Sequence, residues 1–185
     1  MKDFKNSFLA LMSIASNVDR VGKATYIPDR SLDIYYEDVI LDPNYFSTES
    51  IFFIDSSQNS SLVNHHCHSV AELYGFLKEK SLVKINNIES YNNNYIKFCE
   101  NLQRAFGASK VDCHIYFGKK NSFSFNFHQD PMGVLIYCLR GKKDIKLKKR
   151  RISLGTNDWV YLPKNTNHKA YYPTDSITLS FGIYK

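Results

Sequence analysis

The sequence predicts a mainly β barrel of the sandwich or jelly-roll kind, with helices packed on it from the N-terminal side. Short runs rich in Val, Ile, Phe and Tyr recur through the second half of the chain and are separated by Gly, Asn, Pro and Asp. Aromatic residues reach 15%, with 13 Tyr and 13 Phe, a composition that suits strands and excludes a disordered chain. Segments of helical period are confined to the residues before Gly107. At 185 residues the chain is long enough for one domain with a sizeable core and short for two. A single domain over 1–185 is expected, with helices and edge strands over 1–107 and the core barrel over 108–185.

From Phe4 to Val18 the apolar residues Phe4, Phe8, Leu11, Met12, Ala15 and Val18 keep a helical period, which predicts an amphipathic helix lying on the core. Tyr35-Tyr36 and Ile51-Phe52-Phe53-Ile54 read as short strands, with turns at Asp42-Pro43-Asn44 and from Ser56 to Ser61. Ser69 and Glu72 have capping-box spacing, so a helix opens there and runs to about Leu77. Leu82-Val83-Lys84-Ile85 is a strand candidate. Asn94 to Phe106 carries Tyr95, Phe98, Leu102, Ala105 and Phe106 on one helical face, and Gly107 falls where a C-terminal cap belongs. Seven strand candidates follow: Val111–Phe117, Ser122–His128, Val134–Arg140, Asp144–Leu147, Asp158–Leu162, His168–Tyr172 and Ser176–Tyr184. Turns are expected at Gly118–Asn121, Arg140-Gly141, Leu154–Asn157 and Pro173–Asp175.

His128-Gln129-Asp130, with His168 further along, is the constellation that carries chemistry. If His128 and Asp130 lie on a strand, they point the same way and Gln129 points away. Two histidines and one carboxylate occupy one face of a metal ion and leave the other face open, the arrangement suited to non-haem Fe(II). His65-His66-Cys67-His68 is a competing cluster, but adjacent histidines cannot all face one ion from a single strand, so a loop is the expected reading. His114 can point into the barrel or sit as a satisfied core histidine.

Cys67, Cys99, Cys113 and Cys138 form no Cys-x-x-Cys pair, which excludes a zinc ribbon or a redox dithiol and predicts buried free thiols. No apolar run approaches the ~20 residues of a membrane span and no signal peptide is evident, so the expected location is cytoplasmic, with no membrane partner. Much of the net charge of +6 is local, between Lys142 and Arg151. The alternation of Ile145 and Leu147 with charged residues favours a solvated strand and turn over a phosphate grip.

A His-x-Asp pair at His128 and Asp130 and a distal His168 after Tyr161-Leu162-Pro163, within such a barrel, resembles the cupin superfamily. The pattern is more similar to JmjC-type hydroxylases that use Fe(II) and 2-oxoglutarate, in their ribosomal-oxygenase and asparaginyl-hydroxylase branches. Leu135 to Lys143 looks like the family strand that ends in a glycine turn and a basic residue. Gly155 to Pro163 looks like its distal segment, Ser176 to Phe181 like its last barrel strand, and Glu100 to Gly107 like the helix leading into the barrel. The likeness covers about Ser81 to Lys185.

The resemblance implies a double-stranded β-helix in which His128, Asp130 and His168 hold Fe(II). It implies that 2-oxoglutarate is the cosubstrate, with Lys143 at its far carboxylate, Tyr116 lining its pocket and Ser180 at a polar position on the last strand. A charge-assisted donor opposite the metal is what a buried dicarboxylate needs. Lys142 is the alternative to Lys143, and strand alternation admits only one of them to the barrel. Dioxygen and an amino-acid side chain in a protein, peptide or free amino acid are the implied partners. Cys138 and Asp144 depart from the family, which often has Gln and an aromatic residue there. The chain ends on its last strand, so the extensions that ribosomal oxygenases use for dimerisation and substrate binding are not expected. Two other readings stay open: a non-oxidative, isomerase-like cupin with a Lewis-acid metal, and a catalytically silent basic barrel that binds an anionic ligand or RNA through Lys142 to Arg151. Nucleic acid is not the expected partner.

Overall fold

The structure is a computed structural model, and it describes Ala15 and residues 24–27, 51–54, 62–65, 69–79, 82–90 and 93–185. The strands expected at Tyr35-Tyr36, the turns at Asp42–Asn44 and Ser56–Ser61, and His66-Cys67-His68 lie outside the described residues. Of the helix expected over Phe4 to Val18 only Ala15 is described; it is helical and buried in the core.

Among the described residues, twelve strands and two helices follow Ala15 in chain order. They are β1 (Thr25–Ile27), β2 (Ile51–Ile54), β3 (Leu62–His65), α1 (Val70–Glu79), β4 (Leu82–Ile85), α2 (Asn93–Phe106), β5 (Lys110–Gly118), β6 (Ser122–Phe123), β7 (Gly133–Arg140), β8 (Lys143–Leu147), β9 (Arg151–Leu154), β10 (Trp159–Leu162), β11 (His168–Tyr172) and β12 (Ser176–Tyr184). A 3-10 turn at Ile88–Ser90 precedes α2. The helix caps are those the sequence predicts. The Glu72 N–H donates to Ser69 Oγ at 3.2 Å. Gly107 takes φ 56°, which lets the Ala108 N–H close on the Gln103 carbonyl at 2.9 Å.

Antiparallel pairing builds two sheets, an eight-stranded one in the order β1-β10-β7-β12-β5-β4-β2-β3 and a four-stranded one in the order β6-β11-β8-β9. The mainly β jelly-roll barrel with N-terminal helices is therefore the observed fold. Four elements differ from expectation, among them Thr25–Ile27, which pairs on β10 where no strand was expected. The strand expected over Ser122–His128 stops at Phe123; beyond it the Ser124 N–H still reaches the Ala170 carbonyl at 3.2 Å, and the chain then rejoins the sheet through a bridge between His128 and His168. The Asn126 carbonyl is taken by the His128 ring at 2.8 Å instead of by a ladder partner, so the run cannot continue as a strand. Arg151–Leu154, where no strand was expected between the basic run that ends at Arg151 and the turn expected from Leu154, is a strand because Ile152 and Leu154 alternate into the core once Leu147 and Arg150 close the turn before it. Leu62–His65, where no strand was expected and of which only His65 was read as loop, pairs as an edge strand on β2.

The large sheet buries both faces, and the two faces differ in kind. Its outer face packs on α2: Val111, Cys113, Ile115 and Phe117 of β5 and Ile177, Leu179, Phe181 and Ile183 of β12 meet Phe98, Leu102 and Phe106. The residues between them, Asp112, His114 and Tyr116 on β5 and Ser180 and Gly182 on β12, line a cavity between the sheets. Period-two alternation thus puts polar groups inside the barrel and apolar groups outside, under the helix. β7 is apolar on both faces, its Leu135 and Tyr137 joining the helix side and its Val134, Ile136 and Cys138 the second core with β8, β9 and β11.

Trp159 centres the helix-side core. Its ring lies 4.3 Å from that of Tyr137, 6.3 Å from that of Phe181 and 6.4 Å from that of Phe98, and it is fully buried. Removing a buried indole from such a stack costs about 3–5 kcal/mol. Urea unfolding of Trp159→Ala should show that loss, a large part of the ~5–15 kcal/mol typical of a domain.

Candidate metal centre and its cavity

Two loops hold the triad, and main-chain hydrogen bonds fasten them together. His128 and His168 exchange N–H···O bonds in both directions, at 3.0 and 2.9 Å. The Asn165 N–H reaches the Asp130 carbonyl at 2.7 Å, with Asn165 in the left-handed region at φ 61°. Thr166 closes the same loop, its hydroxyl donating to the Pro163 carbonyl at 2.6 Å.

These bonds bring three ligand atoms to one point. The Asp130 Oδ2 lies 3.6 Å from His168 Nε2 and 4.0 Å from His128 Nε2, and one ligand atom from each residue falls within 4.8 Å of the others. The convergence does not come from strand alternation, as the sequence suggested, because Asp130 is outside any strand. It comes from the cross-loop bonds.

Each imidazole is also set in the tautomer a metal requires. His128 Nδ1 lies 2.8 Å from the Asn126 carbonyl and His168 Nδ1 lies 2.9 Å from the Thr166 carbonyl. A carbonyl only accepts, so Nδ1 must carry the proton and each Nε2 keeps its lone pair turned to the common point. Burial, the first cause, lowers the pKa of His168 below the usual histidine range, with the Thr166 carbonyl opposing. The ring is therefore neutral at pH 7, the form that ligates metal. The donor set fits a divalent ion held on one face. Gln129 is exposed and takes no part.

The cavity beside the triad measures about 320 Å³, at the small end of the ~300–1,000 Å³ typical of ligand pockets. Lys143 lies in it, 3% exposed, while Lys142 is on the surface. The Lys143 Nζ donates to Thr178 Oγ1 at 3.1 Å and lies 4.8 Å from the Tyr116 ring centroid and 5.2 Å from that of Tyr172. Among the described residues no carboxylate lies within ion-pair distance of it. Burial lowers its pKa from 10.5 to about 7, with Cys138 opposing only in part. Beside Thr178 the buried Tyr172 hydroxyl has, among the described residues, no hydrogen-bond partner of normal geometry. Tyr116 and Ser180 also line the cavity, so the structure brings all six residues singled out in the sequence to one chamber.

His114 lines the same wall with both nitrogens engaged. Its Nδ1 accepts from the Asn87 N–H at 3.3 Å and its Nε2 lies 3.4 Å from Asp112 Oδ1. Thr178, Tyr172, Asp112 and Lys84 were not singled out in the sequence. Thr178 and Asp112 had a signal, since each lies two residues from a residue already placed on the inner face. Lys84 had a weaker one, a single charge within an apolar strand.

No family model matches the chain. In sequence it is similar to the bifunctional lysine-specific demethylase and histidyl-hydroxylase NO66 of Dictyostelium discoideum, at 28% identity over 131 residues that cover 57% of this chain and 25% of that protein. The chain spans about a quarter of the length of that relative. In structure it is similar to the Escherichia coli ribosomal oxygenase YcfD in complex with cobalt and succinic acid, with TM-score 0.69 and 12% identity over 92% of this chain and 51% of that one. Against YcfD in complex with cobalt and 2-oxoglutarate the TM-score is 0.69 at 13% identity, over 88% and 48% of the two chains. The structural likeness establishes the fold, and the sequence likeness meets the resemblance to JmjC-type, cupin-like hydroxylases.

Loss of a ligand should weaken ion binding by more than the ~10–100-fold that changes in supporting groups cost. Calorimetric titration of Mn(II) or Co(II) should show that loss in His168→Ala and Asp130→Ala, and wild-type affinity in Gln129→Ala. Binding should also weaken as pH falls through the depressed pKa of His168, where protons compete for its Nε2 lone pair.

Proposed function

We propose that this chain is an Fe(II)- and 2-oxoglutarate-dependent oxygenase that hydroxylates an amino-acid side chain, in a protein, a peptide or a free amino acid. The observation that carries the reading is Lys143, a buried cation without a carboxylate partner, facing the same cavity as a two-histidine, one-carboxylate triad. A buried ammonium is costly unless an anion meets it. A dicarboxylate that ligates a metal at one end and meets Lys143 at the other relieves that cost. A non-oxidative cupin has no such need.

In this reading His128, Asp130 and His168 hold the iron on one face and leave the cavity side open. Bound iron and 2-oxoglutarate supply the oxidising chemistry, in which dioxygen is consumed, the cosubstrate loses carbon dioxide and a substrate carbon gains a hydroxyl group. The chain's own residues bind, orient and exclude water. Lys143, the Thr178 hydroxyl and the Tyr172 hydroxyl receive the distal carboxylate, and Lys143 Nζ holds its proton once that anion is present. The Tyr116 ring forms the wall beside it. Met132, Val134, Ile136 and Ile145 line the chamber with apolar surface, which keeps water from the reacting centre. The relatives named ribosomal oxygenase and histidyl-hydroxylase support a protein side chain as the substrate class.

Lys143 titrates near 10.5 when unfolded and at about 7 when folded, so between those values the unfolded chain holds more protons. Stability of the ligand-free protein should therefore rise as pH is raised from 7 toward 10.5, a trend that chemical unfolding across that window would detect. Lys143→Met should stabilise the ligand-free protein at pH 7, because it removes the cost of holding a buried ammonium without an anion. The same variant should lose the visible absorption that develops when 2-oxoglutarate is titrated anaerobically into the Fe(II)-loaded protein. Absence of that absorption in iron-loaded wild type would overturn the proposed function.

A further inference from the structure

The cavity holds a second cation that 2-oxoglutarate does not use. Lys84 of β4 pairs in register with Tyr116 of β5 and lines the same chamber. Its Nζ lies 5.5 Å from the Tyr116 ring centroid, so one ring carries both this ammonium and that of Lys143. Among the described residues no carboxylate comes within ion-pair distance of Lys84, and the ring is a weak partner beside a carboxylate.

The acids of the chamber are already occupied. Asp130 belongs to the triad. Asp112 accepts from the Gly182 N–H at 3.1 Å and the Tyr184 hydroxyl at 2.8 Å, and faces His114 Nε2 at 3.4 Å. The Asn87 N–H points at His114 Nδ1, so the ring proton sits on Nε2 and is given to Asp112. Burial raises the pKa of Asp112, but the His114 and Tyr184 contacts outweigh it and hold the carboxyl below its usual range. Gly182 is part of this arrangement, since a Cβ there would strike Asp112 Oδ1. Asp112 is thus an anion whose charge is met by three donors of the protein itself.

Hydrogen-bond accounting then singles out Lys84. A divalent ion, the Asp130 carboxylate, a dicarboxylate cosubstrate and the Lys143 ammonium balance to neutrality. Asp112 offsets the Lys84 charge across the chamber without an ion-pair contact, and its own acceptors are taken by the Gly182 N–H, the Tyr184 hydroxyl and His114, so Lys84 is the cation with donors still to place. Burial lowers the Lys84 pKa, with Asp112 and Asp130 opposing, as for an ammonium short of a direct anionic partner. We infer that Lys84 binds a carboxylate of the substrate, so that the chamber takes an amino-acid-sized acid next to the cosubstrate. This rests on the function proposed above and narrows its substrate class. The carboxylate can be the α-carboxylate of a free amino acid or the side chain of Asp or Glu within a peptide.

The test is calorimetric titration of the Co(II)-loaded full chain at saturating 2-oxoglutarate with two probe sets, the free L-amino acids and the N-acetyl amino-acid amides. Binding should be confined to probes that carry a carboxylate. Free amino acids as the binders identify the α-carboxylate as the source, and the N-acetyl amides of Asp or Glu identify the side chain. Lys84→Met should weaken that binding by ~10–100-fold, the worth of a charge-assisted hydrogen bond, and should still take up 2-oxoglutarate, which also shows that it is folded. Lys84→Arg should retain probe binding. Lys143→Met should lose 2-oxoglutarate. The inference is overturned if the tightest probe has no carboxylate, if no carboxylate probe binds, or if Lys84→Met binds as wild type. Loss of 2-oxoglutarate in folded Lys84→Met but not in Lys143→Met would make Lys84 the cosubstrate's cation and overturn it as well. Failure of wild type to take up 2-oxoglutarate is a different result, and sinks the proposed function itself.

Discussion

The reciprocal main-chain hydrogen bonds between His128 and His168 are the constraint on which the site depends. β11, which begins at His168, belongs to the small sheet, and His128 lies on the connection from that sheet into β7 of the large one. Without the bridge, the connection from β6 to β7 would have no ladder to set its height over the cavity. With it, the two imidazoles stand with ring centroids 4.3 Å apart, and the Asn165 to Asp130 bond brings the third ligand into the same space. The ligand set is held by backbone bonds and by two carbonyl-fixed tautomers before any metal contributes, which is preorganisation in the strict energetic sense.

The barrel interior shows the cost of that arrangement. Most small barrels fill their centre with apolar side chains. Here the helix-side face of the large sheet holds the greater apolar core, around Trp159, while the inner face carries Asp112, His114, Tyr116, Thr178 and Ser180. Each inner polar group either has a partner in the protein or waits for one. Asp112 and His114 satisfy each other and the neighbouring backbone. Among the described residues, Lys143 and Lys84 have hydroxyl and ring contacts and no carboxylate partner. The division between satisfied and waiting groups is the observation on which the proposed roles of Lys143 and Lys84 rest, because a buried charge without an anionic partner is costly.

Departures from the family pattern fall where they do least to this scheme. Cys138 is buried in the second core and its thiol donates to the Arg140 and Gly141 carbonyls, at 3.7 and 3.5 Å; burial raises its pKa to about 11, so it is a packing group and not a nucleophile. Asp144 points to the other side of β8, where Arg151 of β9 pairs with it. The basic segment from Lys142 to Arg151 is accordingly an amphipathic hairpin. Lys143 and Ile145 point inward from it, and Lys146, Lys148 and Lys149 lie exposed.

Local patterns in the sequence determined the helices α1 and α2, their caps, most barrel strands and the identity of the triad, because these rest on periods of 3.6 or 2 and on side-chain chemistry that neighbours along the chain express. They determined that one of Lys142 and Lys143 enters the barrel, since alternation admits only one. Which of them enters, and why His128 and Asp130 converge, only the tertiary structure decided. The first follows from the register of β8 against β11 and β9, the second from hydrogen bonds between loops far apart in the chain. The same holds for Lys84 and Asp112. Their meaning lies in which charges face one chamber and which partners have already been taken, and that is set by long-range pairing that no local pattern contains.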